Sequence, residues 1–131
     1  SSGNLLVLPV LKDGSLGKAV QIIKHKGAGP NFQRQRGAHV HATVFSPEGK
    51  YLFVPDLGID KIMIYQFNEK TGRIKTHDQP FLKSEGGAGP RHMEFHPNGR
   101  FAYLMEELSG SIKTMQYDGK GHLQSLQEMF T

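Results

Sequence analysis

Apolar residues in this chain come in short runs rather than at helical intervals. No window keeps them at i, i+3, i+4 and i+7 for two turns, so no amphipathic helix is expected. Short runs rich in branched and aromatic side chains are instead punctuated by glycine, proline, asparagine and aspartate, the signature of short strands joined by tight turns. We expect strands at residues 4–10, 19–23, 40–45, 51–54, 61–67, near 73–82, and at 91–95, 101–105, 111–117 and 123–130. Pro9 inside the first of these marks an edge or a bulge. Lys12-Asp13-Gly14-Ser15 and Ser46-Pro47-Glu48-Gly49 read as hairpin turns. Residues 24–38 (KHKGAGPNFQRQRGA) form a long polar loop, a length uncommon in compact domains and often functional. A shorter loop is expected at residues 55–60.

The same pattern occurs twice, fifty positions apart. Phe45 recurs as Phe95, Pro47 as Pro97, Gly49 as Gly99, Lys50 as Arg100, Tyr51 as Phe101 and Phe53 as Tyr103, and the match runs without a gap through Gln66 and Gln116 to Phe67 and Tyr117. A repeat of this period signals a repeat architecture, and four strands in about fifty residues is the size of one β-propeller blade. The fold expected is therefore all-β, built of four-stranded antiparallel blades, with about 2.6 units in the 131 residues. Residues 1–26 read as the end of one blade, 27–86 as a blade with an inserted loop, and 87–131 as most of the next. Since neither end falls on a unit boundary, we expect part of a longer ring, and self-association of the incomplete ring through its open sheet faces. Gly27-Ala28-Gly29-Pro30 also recurs as Gly87-Ala88-Gly89-Pro90, but sixty positions on, so the first unit carries ten extra residues near 31–40. That insertion holds Arg34, Arg36 and His39, and insertions in repeat proteins map to one face, often the binding face.

Composition narrows the picture a little further. An apolar content of 37% supports a packed core rather than disorder. No apolar run approaches the roughly 20 residues of a membrane span, so no membrane partner is expected. The net charge of +4 comes from basic residues scattered along the chain, not from the clustered stripe of a nucleic-acid binder. It is a solvated surface or a field that draws in an anionic substrate. The absence of cysteine excludes disulfides and thiolate chemistry and, with no signal peptide visible, leads us to expect a cytoplasmic location.

Several motifs in order resemble one family. They are His39-Val40-His41 leading into Ser46-Pro47-Glu48-Gly49, Pro55-Asp56-Leu57-Gly58 with Asp60-Lys61, Gly89-Pro90-Arg91-His92 leading into His96-Pro97-Asn98-Gly99, and Glu107-Leu108. Together they resemble the seven-bladed β-propeller lactonases, which include bacterial 6-phosphogluconolactonases and fungal carboxymuconate-lactonizing enzymes. The resemblance implies a catalytic histidine, arginine and glutamate at the mouth of the central channel, carried here by His41 (His39 being the alternative), Arg91 and Glu107. Where the family usually has asparagine before that glutamate, this chain has Glu106, which is expected to add a second negative charge to the site. Arg34, Arg36, His39 and His92 are expected to contact the substrate.

The repeat supports the choice independently. His41 and Arg91 occupy the same position in successive units, four residues before the matched phenylalanine, and equivalent positions on innermost strands face one channel. Lactone hydrolysis needs a base for water, a cation for the developing oxyanion and an acid for the leaving alkoxide, and an arginine fork also suits a substrate phosphate or carboxylate. Plainer readings exist for each residue: strand packing for His41, a turn cap for Arg91, a solvated loop charge for Glu107. No cofactor is implied. No metal is expected either, since His39 and His41 with His92 nearby lack a cysteine or well-placed carboxylate to complete a shell. Asp56 and Asp60 read as stabilisers of their own loop, and His25, His77, His96 and His122 as turn or surface residues. The expected substrate is a small anionic lactone, with 6-phosphogluconolactone foremost. A muconate cycloisomerase and a non-catalytic binding scaffold are the alternatives.

Overall fold

The computed structural model describes residues 2–130; Ser1 and Thr131, the outer ends of the first and last expected segments, lie outside the described residues. Among those described there are only strands and connections. Strands β1 (Asn4–Val7) and β2 (Gln21–Lys24) pair antiparallel. Then come β3 (Val44–Phe45), β4 (Tyr51–Asp56), β5 (Lys61–Phe67) and β6 (Ile74–Lys83), a four-stranded antiparallel sheet in chain order. A second such sheet follows from β7 (Pro90–Phe95), β8 (Phe101–Glu106), β9 (Ser111–Tyr117) and β10 (Leu123–Phe130). The two sheets are blades, and the second has all four of its strands.

The core follows from the two-residue period of a strand. In the first blade Leu52, Val54, Tyr65 and Ile74 face one way and pack against Leu5, Val7 and Ile23 of the β1–β2 ribbon. Phe53, Ile62 and Ile64 face the other way, where they meet Met93, Ala102, Leu104, Met115, Tyr117 and Leu123 of the second blade. The aromatic rings in this seam meet edge-on or tilted: Phe53 to Tyr117 at 5.7 Å, Phe53 to Phe95 at 5.5 Å and Phe95 to Tyr117 at 5.2 Å, the arrangement that ring quadrupoles favour. Phe53 and Ile62 are completely buried, whereas their repeat counterparts Tyr103 and Ile112 are 38% and 40% exposed. The far face of the second blade thus repeats a face that its predecessor buries.

Differences from the expected strands have local causes. The first strand stops at Val7, and Val10 makes only an isolated bridge to Leu16, because Pro9 offers no N–H. The second begins at Gln21 rather than residue 19. The strand expected at 40–45 is reduced to Val44–Phe45, so His41 lies ahead of β3 and not within it. Val40 still bridges Asp56, and the His41 N–H donates to Pro55 O at 3.1 Å. In an antiparallel ladder N–H and C=O of one residue point to the same neighbour, so Pro55 has no donor to return. In the second blade the counterpart of Pro55 is Met105, and β7 runs from Pro90 to Phe95 with one irregularity between Pro90 and His92. The expected loop at 55–60 also shortens, since β4 extends through Pro55 to Asp56.

Phe53 sits at the centre of the seam, so Phe53→Ala should cost about 3–5 kcal/mol. Denaturant unfolding followed by tyrosine fluorescence measures this; a loss below about 1 kcal/mol would mean that the two blades do not rely on this seam.

Candidate functional site

The β4–β5, β6–β7 and β8–β9 connections lie at one end of the two blades, and the candidate residues gather there. Arg91 sits on β7 at the irregularity between Pro90 and His92, where a residue is re-aimed out of the regular pleat. Its guanidinium donates through Nη1 to Glu107 Oε1. Arg34, from the inserted loop, donates through Nη2 to Glu107 Oε2 at 2.7 Å. One carboxylate thus bridges two guanidinium groups from different parts of the chain. None of the three is deeply buried: their side chains are 49% (Arg34), 39% (Arg91) and 25% (Glu107) exposed. The Arg91 Nε is nonetheless shielded and has no partner among the described residues.

His41 completes the group. It is partly buried and lies within electrostatic reach of Arg91, Glu107, His39 and His92. Burial and then the Arg91 charge push its pKa below the ordinary 6.5, and Glu107 only partly opposes them. His41 is therefore a neutral imidazole at pH 7. The structure brings together His41, Arg91 and Glu107 with Arg34, His39 and His92. Arg36 does not join them; its Nε turns back to Phe32 O at 2.9 Å.

The supports of this group were largely hidden in the sequence. Gln35, completely buried, holds the inserted loop. Its Nε2 donates to Leu57 O and to Asp60 Oδ1, both at 2.8 Å, and its Oε1 accepts the Asn31 N–H at 3.0 Å. Asp60 also accepts the N–H groups of Gly87 (2.7 Å) and Gly89 (2.9 Å), on the approach to Arg91. Gly89 O in turn accepts the Glu107 N–H at 2.8 Å. On the other side, Asp56 Oδ1 accepts the His39 N–H at 2.7 Å, and its Oδ2 takes His25 Nδ1 at 2.7 Å. His25 Nε2 meets the Tyr65 hydroxyl at 2.7 Å; burial and the Asp56 charge push that phenol up to about 12, so it stays a donor.

Three expectations need correction here. His25 is not a surface residue but is buried as the partner of Asp56, and His77 is buried between the blades. Glu106 does not add its charge to the site. It is the last residue of β8 and points inward, completely buried, 3.4 Å from Lys113 Nζ and bonded by the Ser111 hydroxyl at 2.7 Å, while Glu107 lies in the turn beyond. Burial acts on it most strongly and upward, yet hydrogen bonds from Ser84 and Ser111 and the Lys113 charge together hold its pKa below the usual carboxylate range. Glu106 is the repeat counterpart of Asp56, a buried acid that ends the second strand of each blade.

The clearest concavities lie elsewhere. One is lined by Tyr51, Gln66, Asn68 and Arg73 at the opposite end of the first blade, and another by Lys83, Ser84, Lys113 and Glu128. In a propeller the channel mouth is walled by the whole ring, so two blades leave it as an open surface.

With this geometry in place, the chain's relationships are unambiguous. It belongs to the seven-bladed β-propeller lactonase family (Lactonase, 7-bladed beta-propeller), whose profile matches residues 1–131. It is 39% identical over 117 residues to a 6-phosphogluconolactonase of Bacillus subtilis, covering 89% of this chain and 32% of that one. Among solved structures it matches the periplasmic gluconolactonase of Pseudomonas aeruginosa with a TM-score of 0.91 at 43% identity, over 98% of this chain and 36% of that one. It also matches a protein from Lactobacillus plantarum with a TM-score of 0.89 at 35% identity, over 99% and 37% of the two chains. The chain therefore spans about a third of the length of the relatives it matches.

Gly58 tests how the inserted loop is docked. A Cβ there would fall 1.8 Å from Gly37 O, a contact no side-chain motion relieves. Gly58→Ala should release the loop and speed tryptic cleavage after Arg34 and Arg36 by about tenfold or more, the factor that 1.4 kcal/mol of easier opening produces. Unchanged cleavage would show that the loop does not depend on this contact.

Proposed function

We propose that this chain supplies the histidine, arginine and glutamate of a lactonase site, and that the whole protein opens 6-phosphogluconolactone to 6-phosphogluconate. The observation that carries the reading is the bridge of Glu107 between Arg34 and Arg91, with His41 beside it as a neutral imidazole. Family membership and the named activities of the Bacillus and Pseudomonas relatives support it.

The chemistry follows from the charges. Neutral His41 takes a proton from water, and the hydroxide attacks the lactone carbonyl. Arg91 faces the oxyanion that develops there. The ring C–O bond then breaks, and protonated His41 returns its proton to the leaving alkoxide, which restores the base. Glu107 accepts hydrogen bonds from both guanidinium groups, so its part is to orient them rather than to deliver a proton. Arg34 presents a second planar fork, suited to the substrate phosphate.

In the whole protein, Arg91→Ala should lower lactone turnover by about two to three orders of magnitude, and His41→Ala by about a hundredfold or more. A fast pH-stat assay at mildly acidic pH limits spontaneous ring opening. Full activity of both variants on every lactone tried would overturn the reading.

The pH profile gives a separate check. A base must be deprotonated to act, and the His41 pKa lies below 6.5. Activity should therefore hold through neutral pH and fall only below 6.5, and this acid limb should vanish in His41→Ala. Because a substrate phosphate itself titrates near pH 6, the unphosphorylated gluconolactone is the proper substrate for this measurement. A limb above 6.5, or one that persists in His41→Ala, would assign the base elsewhere.

A further inference from the structure

At the end of the blades away from His41 and Arg91, the outer strand β6 meets the β9–β10 turn of the next blade. His77, Asp78 and His122 come together there, each offering one donor atom, all within 4.8 Å of one another. Asp78 Oδ1 lies 2.9 Å from His77 Nδ1 and 3.2 Å from His122 Nε2. Two atoms bound to one tetrahedral zinc ion at the usual bond lengths stand roughly 3.3 Å apart, so shifts of a few tenths of an ångström at these two edges would bring both pairs to coordination spacing.

The outer partners of the two rings sharpen the point. His77 Nε2 faces Lys120 O at 2.9 Å, and His122 Nδ1 faces Asp118 Oδ2 at 2.6 Å. A carbonyl and a carboxylate only accept, so both nitrogens carry the proton. An ion there would take the lone pairs of His77 Nδ1 and His122 Nε2 on the side of Asp78, in place of the proton that His122 Nε2 can now share with Asp78 Oδ2 at 3.3 Å. Metal-binding histidines are held in this way, with the far N–H given to a carbonyl or carboxylate. On the inner side, His77 Nδ1 and Asp78 Oδ1 both take the Gln79 N–H at 3.0 Å, His77 Nδ1 also stands 3.3 Å from Gln79 O, and His122 Nε2 stands 3.3 Å from Asp78 Oδ2.

The positions are also built. The His77 side chain is 2% exposed, stacked edge-on against Tyr51 at 5.2 Å. Gly121 makes room for it, since a Cβ there would sit 2.6 Å from His77 Nε2. Asp118 Oδ1 fixes the turn by accepting the N–H groups of Lys120 (2.7 Å) and His122 (3.0 Å). Asp78 and His122 are 75% and 42% exposed, which leaves an open side for entry and for water as a fourth ligand.

We propose that His77, Asp78 and His122 form a binding site for a divalent transition metal that clamps one blade to the next. Two imidazoles and one carboxylate suit zinc. The ion would bridge the outer strand of one blade and the outer hairpin of its neighbour, far from the lactone chemistry, so its effect is on the stability of the ring.

The test uses the whole protein, stripped with chelator and titrated with Co2+ as a spectroscopic probe and with Zn2+ in competition. We expect one equivalent to bind with the visible absorption of a four-coordinate N/O site, and the melting temperature to rise on saturation. Asp78→Asn, at an exposed side chain, and His122→Ala should both abolish that equivalent and the thermal shift. Asp118→Asn, which removes only the outer partner, should weaken binding by about tenfold to a hundredfold. Gluconolactone hydrolysis should be unchanged in all three. The proposal falls if wild type and Asp78→Asn bind metal alike, if the equivalent disappears in His39→Ala or His92→Ala instead, or if wild type binds none; the trio is then a hydrogen-bonded clamp only.

Discussion

The candidate site hangs on a buried carboxylate. Asp60, 4% exposed, accepts from the side chain of Gln35 and from the backbone of Gly87 and Gly89. One side of that arrangement fixes the inserted loop and hence Arg34; the other fixes the approach to β7 and hence Arg91. A buried carboxylate left without its donors is costly, so the two arginines are held in relation to each other by a residue that touches neither. Asp60 adopts a φ of 55°, a left-handed conformation that aspartate tolerates better than most residues. Its counterpart in the second blade is Gly110, with a φ of 69°. The turn therefore keeps its shape in both blades, while only the first supplies the clamp.

Beneath this lies the packing of the blades. The first sheet is apolar on both faces and buries both, one on the β1–β2 ribbon and one on the second blade. Stability of such stacks is shared between neighbours rather than held by any one unit. The same stacking sets β4 of the first blade, to which His41 is bonded at Pro55 O, against β7 of the second, and so brings His41 and Arg91 from equivalent positions of successive blades to one place. The repeat also shows where function has diverged. Each blade ends its second strand on a buried acid, Asp56 or Glu106. In the first blade that acid holds the His39 backbone; in the second it is consumed in a network with Lys113 and Ser111.

Much of this was legible in the sequence because the repeat is nearly gapless. Strand number, blade size and the inserted loop all follow from it, as does the choice of His41 and Arg91 as a matched pair. What escaped is instructive. The shortness of β3 was written in Pro55, but only a ladder that needed its missing N–H made it matter. Gln35 looks like any polar residue of a loop, and nothing in its local pattern reports a carboxylate twenty-five positions away. His25 and His77 carry polar side chains in polar surroundings, and their burial arises from contacts with distant strands. Glu106 was read beside Glu107 as a pair of charges, although Glu106 ends β8 facing inward and Glu107 opens the turn beyond it.

We propose that His41 and Arg91 face the reacting carbonyl of a lactone, with Glu107 holding Arg91 and Arg34 in place. The most direct measurement is a crystal structure of the whole protein with 6-phosphogluconate, the hydrolysis product, bound. The claim predicts a product carboxylate oxygen within about 3.2 Å of the Arg91 guanidinium, His41 on the same side, and the phosphate turned toward Arg34. Product seated elsewhere on the ring, with Arg91 and Arg34 still closed on Glu107 and out of reach, would contradict it.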